Sequence, residues 1–333
     1  MNPCPLFIMI EVIKAGLFTT VQDNGRWGYQ GYGVGVAGAM DNFALSAANF
    51  LVGNAEGAAG LEMTLLGPTL KFHQETILAI TGADLDPQLK GESIPNWTCH
   101  FAPSGSTLSF GGKKKGVRAY LAVGGGIGVP PLMGSRSTYL LGHFGGLEGR
   151  ALKSQDHLPV PPLAGALRNL AGRVFPEKNR PPYQKNPTLR VVPGPFADFF
   201  SEEGIKVFFS TEYTVTPPSD RMGYRLRGEP IKRKKSGELI TCGLANGTVQ
   251  VPPDGQPIIL LADRQTIGGY PIIATLIQAD MPLIAQCAPG DKLRFQAVST
   301  DEAREAYLKL WGNLKTFFNK SFTAESAEAA EKP

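Results

Sequence analysis

"VQVPPDGQPIILLADRQTIGGYPIIATLIQAD" (Val249–Asp280) is the stretch whose reading decides the fold class. Pro252-Pro253-Asp254-Gly255 is turn chemistry: Pro presets φ, Asp bonds its own backbone, and Gly accepts a positive φ. The apolar runs on either side read as the strands of a hairpin. Pro257–Ala262 is continuously apolar, as in a strand buried on both faces. It ends in an acid, a base, an amide and a hydroxyl (Asp263, Arg264, Gln265, Thr266), then Gly268-Gly269-Tyr270, and a second apolar run follows. Two readings of that corner stand side by side. An internal Asp–Arg pair could hold it, or it could bind a small polar carbonyl or carboxyl compound on a rigid support, with the glycines letting the backbone come close.

The same texture extends outward. Gly (40) and Pro (27) are abundant in the 333 residues, which favours short strands and turns over long helices. The chain is 42% hydrophobic and 19% charged, enough apolar residue for a sizeable core, and its length suggests two domains. A net charge of +4, spread along the chain, is not a nucleic-acid signature. Cys4, Cys99, Cys242 and Cys287 are scattered without paired spacing, so reduced thiols and a cytoplasmic location are expected. His73, His100, His143 and His157 are equally dispersed, and no metal site is expected. The opening "MNPCPLFIMI" lacks the basic region of a signal peptide; it reads as an extension before Met9, with either Met1 or Met9 as the start. No run reaches the roughly 18 apolar residues of a membrane span.

From Met9 the chain reads as a strand, a Gly turn and a second strand. A helix capped by Asp41 follows, with Ala44, Ala47, Ala48 and Leu51 on one face and Gly53 as its stop. Strands are expected over residues 61–65, 69–72, 76–81, 106–110 and 117–123. This gives an N-terminal β-domain over 9–157, a Pro-rich connector over 158–187 and a C-terminal β-domain over 188–299. An amphipathic helix capped by Thr300 occupies 300–318, with Ala303, Ala306, Tyr307, Leu310 and Leu314 on one face, and 319–333 read as a loose, disordered tail. "QDNGRWGY" (Gln22–Tyr29) and "SDRMGYRL" (Ser219–Leu226) echo each other, as two related β-domains would.

Several motifs admit a plain and a chemical reading. "GVGVAG" (Gly33–Gly38) fits the dinucleotide pattern formally, but no parallel strand feeds it, so it reads as a loop beside a site. "GGKKKG" (Gly111–Gly116) is no P-loop. It and "IKRKKSGE" (Ile231–Glu238) read as solvated hairpin tips, with an acidic partner surface as the alternative. In "MGSRST" (Met133–Thr138), Arg136 among hydroxyls could grip a carboxylate or phosphate, or the hydroxyls could anchor the loop. Asp23 and Arg26 share a turn in "VQDNGRWG". Glu62 lies inside an apolar strand, and a buried carboxylate needs a partner; an arginine from one of these loops is the candidate.

Taken together, "AGLFTTVQDNGRWGYQGYGVGVAGAMD", "ANFLVGN", "LEMTLLGPTL", "VGGGIGVPPLMGSRST", "SDRMGYRL" and "VQVPPDGQPIILLADRQTIGGYPIIA" resemble the biotin-dependent carboxyltransferase family. This is the allophanate hydrolase subunit 2-like module, the second half of the urea carboxylase carboxyltransferase domain. The resemblance runs from Met9 to Val298. It implies a mainly β chain with a few short helices and cyclophilin-like β-barrel domains.

Stand-alone bacterial members are similar to the C subunit of the ATP-dependent 5-oxoprolinase. That likeness implies a complex with a subunit-B-like (allophanate hydrolase subunit 1-like) protein and a subunit-A-like lactam-utilisation protein. The complex opens the small-molecule amide 5-oxoproline (pyroglutamate) to L-glutamate at the expense of ATP. The other chemistry of the family moves a carboxyl group from carboxybiotin to urea or another amide; this chain has no Met-Lys-Met carrier motif and would borrow a partner's biotin. A third role implied is a non-catalytic regulator that binds the subunit-B-like, kinase-inhibitor-like protein. Both chemistries stabilise charge on an amide oxygen. The matching motifs therefore point to Asp23, Arg26, Asp263 and Arg264 as catalytic and to Asp41, Arg136, Ser137, Arg221, Gln265, Thr266 and Tyr270 as substrate-binding, with the arginines and Gln265 expected to converge.

Overall fold

The computed structural model describes residues 8–234 and 240–330. The expected extension with Cys4, and residues 235–239 of the second basic run, lie outside them. Among the described residues, the first half forms two antiparallel sheets. One has six strands, in the order His157–Val160, Ile8–Lys14, Thr69–Phe72, Thr107–Phe110, Pro87–Leu89 and Glu92–Ser93; the other has five, Phe18–Gln22, Gly60–Thr64, Lys115–Val123, Thr76–Asp84 and Cys99–Ala102. Their facing side chains make one core, including Val12, Leu61, Leu70, Leu121 and Leu158.

The second half closes into a seven-stranded barrel. Its strands run Thr188–Pro193, Ile272–Leu276, Thr248–Gln250, Ile258–Leu260, Gly223–Arg227, Tyr213–Val215 and Lys292–Ala297, and the last pairs in parallel with the first. The mainly β chain with barrel architecture is therefore what forms. The hairpin around Pro252–Gly255 pairs Val249 with Ile259 and Gln250 with Ile258. Its turn is held by the Gly255 N–H donating to the Pro252 carbonyl at 3.0 Å, with Gly255 at φ +75°. The second apolar run, Ile272–Leu276, does not pair with Ile258–Leu260; Thr248–Gln250 lies between them.

The Asn42–Leu51 helix is capped as expected: the Asp41 carboxylate accepts from the Ala44 N–H at 2.9 Å, and Gly53 follows at φ +73°. This helix packs with Trp97, Phe175, Leu314 and Phe318 in a third core.

The last helix, Thr300–Ala330, departs from expectation at both ends. Its cap is Ser299 rather than Thr300. Ser299 Oγ accepts from the Glu302 N–H at 3.2 Å while Glu302 accepts from the Ser299 N–H at 2.7 Å, a reciprocal capping box. The helix also runs past residue 318, through a stretch rich in Ala and Glu, both strong helix formers. Its buried face carries Leu314 and Phe318, whereas Tyr307 is exposed. The helix over Glu202–Ser210 is an element that sequence reasoning misses, although Ser201 ahead of Glu202-Glu203 is a start signal. Among the described residues, no helix is long and apolar enough to cross a membrane.

Candidate functional site

The two halves meet across buried charge. Glu62 sits mid-strand in Gly60–Thr64, 1% exposed, directly opposite Tyr120 of the Lys115–Val123 strand. Its Oε2 accepts from the Met40 N–H at 2.8 Å and the Tyr120 hydroxyl at 2.9 Å. Its Oε1 accepts a short hydrogen bond from Nη1 of Arg221, which comes from the barrel, and Nε of Arg118 lies 3.8 Å away. Arg221 in turn grips Asp263 by a fork, Nε to Oδ2 at 2.9 Å and Nη2 to Oδ1 at 3.0 Å, and donates to the Gly38 carbonyl at 2.6 Å. Burial opposes the charge on Glu62, but Arg221 and Arg118 outweigh it and hold the carboxyl below its ordinary value. Burial likewise works against the Arg221 cation, and Asp263 and Glu62 overcome it.

This network forms part of the wall of a cavity of about 550 Å³, within the range of small-molecule sites. Arg118, Phe18, Thr64 and Leu140 line it from the first half, and Arg221, Met222 and Asp263 from the barrel. Leu141 and His143 add a rim from the loop after Tyr139. Two cationic groups, the carboxylates of Asp220 and Asp263 and several apolar side chains therefore surround one space.

A second cluster lies around Asp23. Its Oδ1 accepts from the Gly25 N–H at 2.9 Å, Ser135 Oγ at 2.7 Å and Ser137 Oγ at 2.5 Å, and its Oδ2 from the Arg136 N–H at 2.5 Å. The Gly25 bond closes the local turn and the other three fasten it to the loop of residues 135–137, so Asp23 and Ser137 act as anchors. Arg136 donates Nε to the Val129 carbonyl at 2.8 Å. Arg26 is fully buried: Nε donates to the Leu132 carbonyl at 3.0 Å, Nη2 to the Ser137 carbonyl at 2.9 Å, and the guanidinium lies 4.9 Å from the Phe144 ring centre. Nη1 has no hydrogen-bond partner among the described residues. Burial holds the Arg26 pKa down, against the pull of Asp23 and Asp263. The Gly33–Gly38 stretch does border the site, since Val36 accepts from the Arg26 N–H and Gly38 from Arg221.

The expected convergence holds only in part. Arg221 and Asp263 meet, and Arg26 feels Asp263 electrostatically. Arg264 does not join them. Its Nε and Nη1 donate to the carbonyls of Leu244 and Leu261 at 3.1 and 3.2 Å, and burial takes its pKa down to about 10. The acid at the strand mouth thus pairs with an arginine 42 positions away rather than with its neighbour. Gln265 is exposed, Thr266 half-buried and Tyr270 36% exposed, all outside the cavity wall. Gly268 instead serves packing, because a Cβ there would lie 2.8 Å from Leu244 Cδ1. Asp41 belongs to a third group, accepting from the Tyr183 hydroxyl at 2.7 Å and Gln286 Nε2 at 3.4 Å; burial pushes its carboxyl up to about 6. Arg118, Tyr120 and Gln286 escape sequence reasoning. The signal for Arg118 is present: a lone charge in the apolar run "VRAYLAV".

Comparison with known proteins agrees with this architecture. Residues 32–297 match the model of the carboxyltransferase domain, subdomain A and B. The chain is 41% identical to the 5-oxoprolinase C subunit of Escherichia coli (strain K12), over 90% of this chain and 94% of that one. It is 37% identical to the protein of the same name from Haemophilus influenzae, over 89% and 93%. The crystal structure of the K. lactis urea amidolyase superposes with a TM-score of 0.88 at 31% identity, covering 95% of this chain but 20% of that much longer one. The chain belongs to the carboxyltransferase domain family, subdomains A and B.

Proposed function

We propose that this chain is the C subunit of an ATP-dependent 5-oxoprolinase, which opens 5-oxoproline to L-glutamate together with subunit-B-like and subunit-A-like partners. The observation that carries the reading is the near end-to-end match to a 5-oxoprolinase C subunit, 41% identical over 90% of one chain and 94% of the other. The cavity suits such a substrate. 5-Oxoproline carries a carboxylate, a lactam oxygen that gains negative charge as the ring is attacked, and apolar ring methylenes. Arg118 and Arg221 place guanidinium groups at the wall, with their charge balanced by Glu62 and Asp263, and Phe18, Leu140 and Met222 supply apolar contact. Asp263 holds the Arg221 fork in one orientation, so the donor is fixed before the reaction begins. ATP is the co-substrate of the complex.

The decisive experiment measures glutamate released from 5-oxoproline and ATP by this chain with candidate partners, each omitted in turn. Release is expected only from the complete mixture, and Asp263→Asn in a folded chain should abolish it. Co-purification of the partners without any glutamate would overturn the reading. A carboxyltransferase role is the second reading, favoured by the 0.88 TM-score against the urea amidolyase. It predicts avidin-sensitive carboxylation of urea or a related amide, with biotin on a partner chain.

A further inference from the structure

Two adjoining cavities lie away from the seam cavity and share no lining residue with it. One, of about 470 Å³, is lined by Asp84, Lys115, Glu177, Lys178, Arg180 and Tyr183 among others. The other, of about 310 Å³, is lined by Lys113, Lys114, Lys115, Lys185 and Asp291 among others. Lys115, Gly116, Tyr183 and Gln286 border both, so they form one continuous cleft. Its cations come from separate parts of the chain: the "GGKKKG" turn gives Lys113, Lys114 and Lys115, and the connector gives Lys178, Arg180 and Lys185. Six cations stand against three carboxylates, Asp84, Glu177 and Asp291. Counting Asp86, which pairs with Lys114, the local excess is two positive charges.

One lysine of the cleft is neutralised by an acid beside it. Lys114 pairs with Asp86 at 2.5 Å. Asp84 Oδ1 accepts from the Asp86 N–H at 2.9 Å and Asp291 Oδ2 from the Ala288 N–H at 2.8 Å; among the described residues neither is ion-paired with a lysine, and both keep their charge. Among the described residues, Lys113, Lys115, Lys178 and Lys185 have no ion-pair partner. A concave surface lined by one sign of charge focuses potential and concentrates counter-ions. The cleft is also built rather than incidental. The strand pairing shifts register between Lys115 and Ala119, with Gly116 at φ +77°. A Cβ on Gly116 would lie 2.7 Å from Gln286 Oε1, and that oxygen accepts from the N–H groups of Val117 and Arg118 at 2.8 and 3.0 Å. The barrel thus fixes the strand end that presents Lys115 to the cleft.

We infer that this cleft binds a polyphosphate chain, carried by a nucleoside triphosphate or present as free inorganic triphosphate. Several uncommitted ammonium groups around a concave space suit a ligand with several adjacent negative oxygens, for which lysine acts as a point charge. A flat acidic protein surface would reach fewer of them. The inference rests on the cleft alone and stands whatever reaction the seam cavity supports.

Titration calorimetry at low ionic strength tests it, with inorganic triphosphate and ATP as separate probes. The variant is Lys113→Glu/Lys115→Glu/Lys185→Glu, at three exposed positions. The control is Lys71→Glu/Lys206→Glu/Lys309→Glu, which changes net charge equally but leaves the cleft intact. Wild type is expected to bind triphosphate, with affinity falling as salt is raised. The cleft variant should lose at least about tenfold in affinity and the control under about twofold. ATP binding more tightly than triphosphate identifies a nucleotide as the source; equal affinities identify the phosphate chain alone. Absence of binding by either probe overturns the inference. So does equal loss in the two variants, which would mean diffuse attraction, or binding of an acidic peptide but of neither phosphate probe.

Discussion

Replacing Glu62 with Gln removes one negative charge from a buried set that is balanced, Arg118 and Arg221 against Glu62 and Asp263. The amide matches the carboxylate in shape but not in donors and acceptors. Glu62 accepts on both oxygens, from Arg221 on one side and from Met40 N–H and Tyr120 on the other. Whichever way the amide turns, its NH₂ faces groups that themselves donate. One donor stays unsatisfied, and one cation stays under-compensated in a place 1% exposed. Breaking a buried ion pair from one side costs about 3–5 kcal/mol. At a urea m-value of about 3 kcal/mol/M, that lowers the unfolding midpoint by roughly 1–1.7 M. Tyr120→Phe removes the hydroxyl that donates to Glu62 and accepts from the Asp41 N–H, and should cost about 1.5–3 kcal/mol for the bond to the charged acceptor and about 1–3 kcal/mol for the buried N–H left unpaired. Urea unfolding followed by tryptophan fluorescence gives the comparison. Glu62→Gln combined with Arg221→Met should then show coupling of about 0.5–3 kcal/mol, because the two residues touch. A Glu62→Gln cost below about 1 kcal/mol, or independent effects in the double variant, would refute the view that this ion network joins the halves.

Two further outcomes follow from the same geometry. Asp41 has its carboxyl raised from 3.8 to about 6 by burial, with the Glu62 charge adding to the rise. The folded state therefore holds that proton more tightly than the unfolded state, and stability from this group falls as pH rises from about 4 to about 6, by roughly 2–3 kcal/mol. Asp41→Asn keeps an N-cap acceptor without the charge, so its stability relative to wild type should rise across that window and stay higher at pH 8; an unchanged difference between pH 4 and pH 8 would remove Asp41 as the source. Arg264→Ala leaves the Leu244 carbonyl without its side-chain donor, which should cost about 1–3 kcal/mol in stability, while the Leu261 carbonyl keeps the backbone N–H of residue 264. Because Arg264 lines no part of the seam cavity, glutamate release by the folded variant should remain within a few-fold of wild type, while Asp263→Asn loses it; equal losses would place Arg264 back among the reacting groups.

What was legible in the sequence follows from how far each signal reaches along the chain. Turn chemistry is local, and Asp254-Gly255, Asp23-Gly25 and the Asp41 cap formed as read because each bonds within three residues. The strand that leads to Asp263, Ile258–Leu260, was also readable, since a continuous apolar run needs no distant information. Its partner was not: adjacency suggested Arg264, but Asp263 and Arg264 lie in a turn past the strand, where the Arg264 N–H bonds the Leu261 carbonyl, and the fork came from Arg221 just ahead of the neighbouring barrel strand. Glu62 shows how much can be recovered. A single carboxylate in an apolar strand demands a cation, and one of the loop arginines supplied it. Applied evenly, that reasoning would also have singled out Arg118, the lone charge of the neighbouring strand, whose Tyr120 lies opposite Glu62. Lone charges in two adjacent apolar strands are better explained by one shared buried site than by two separate accidents, because each is costly without the other. The long-range part of the site thus leaves a trace in sequence as unpaired expense inside the core, even where the identity of the partner needs the fold.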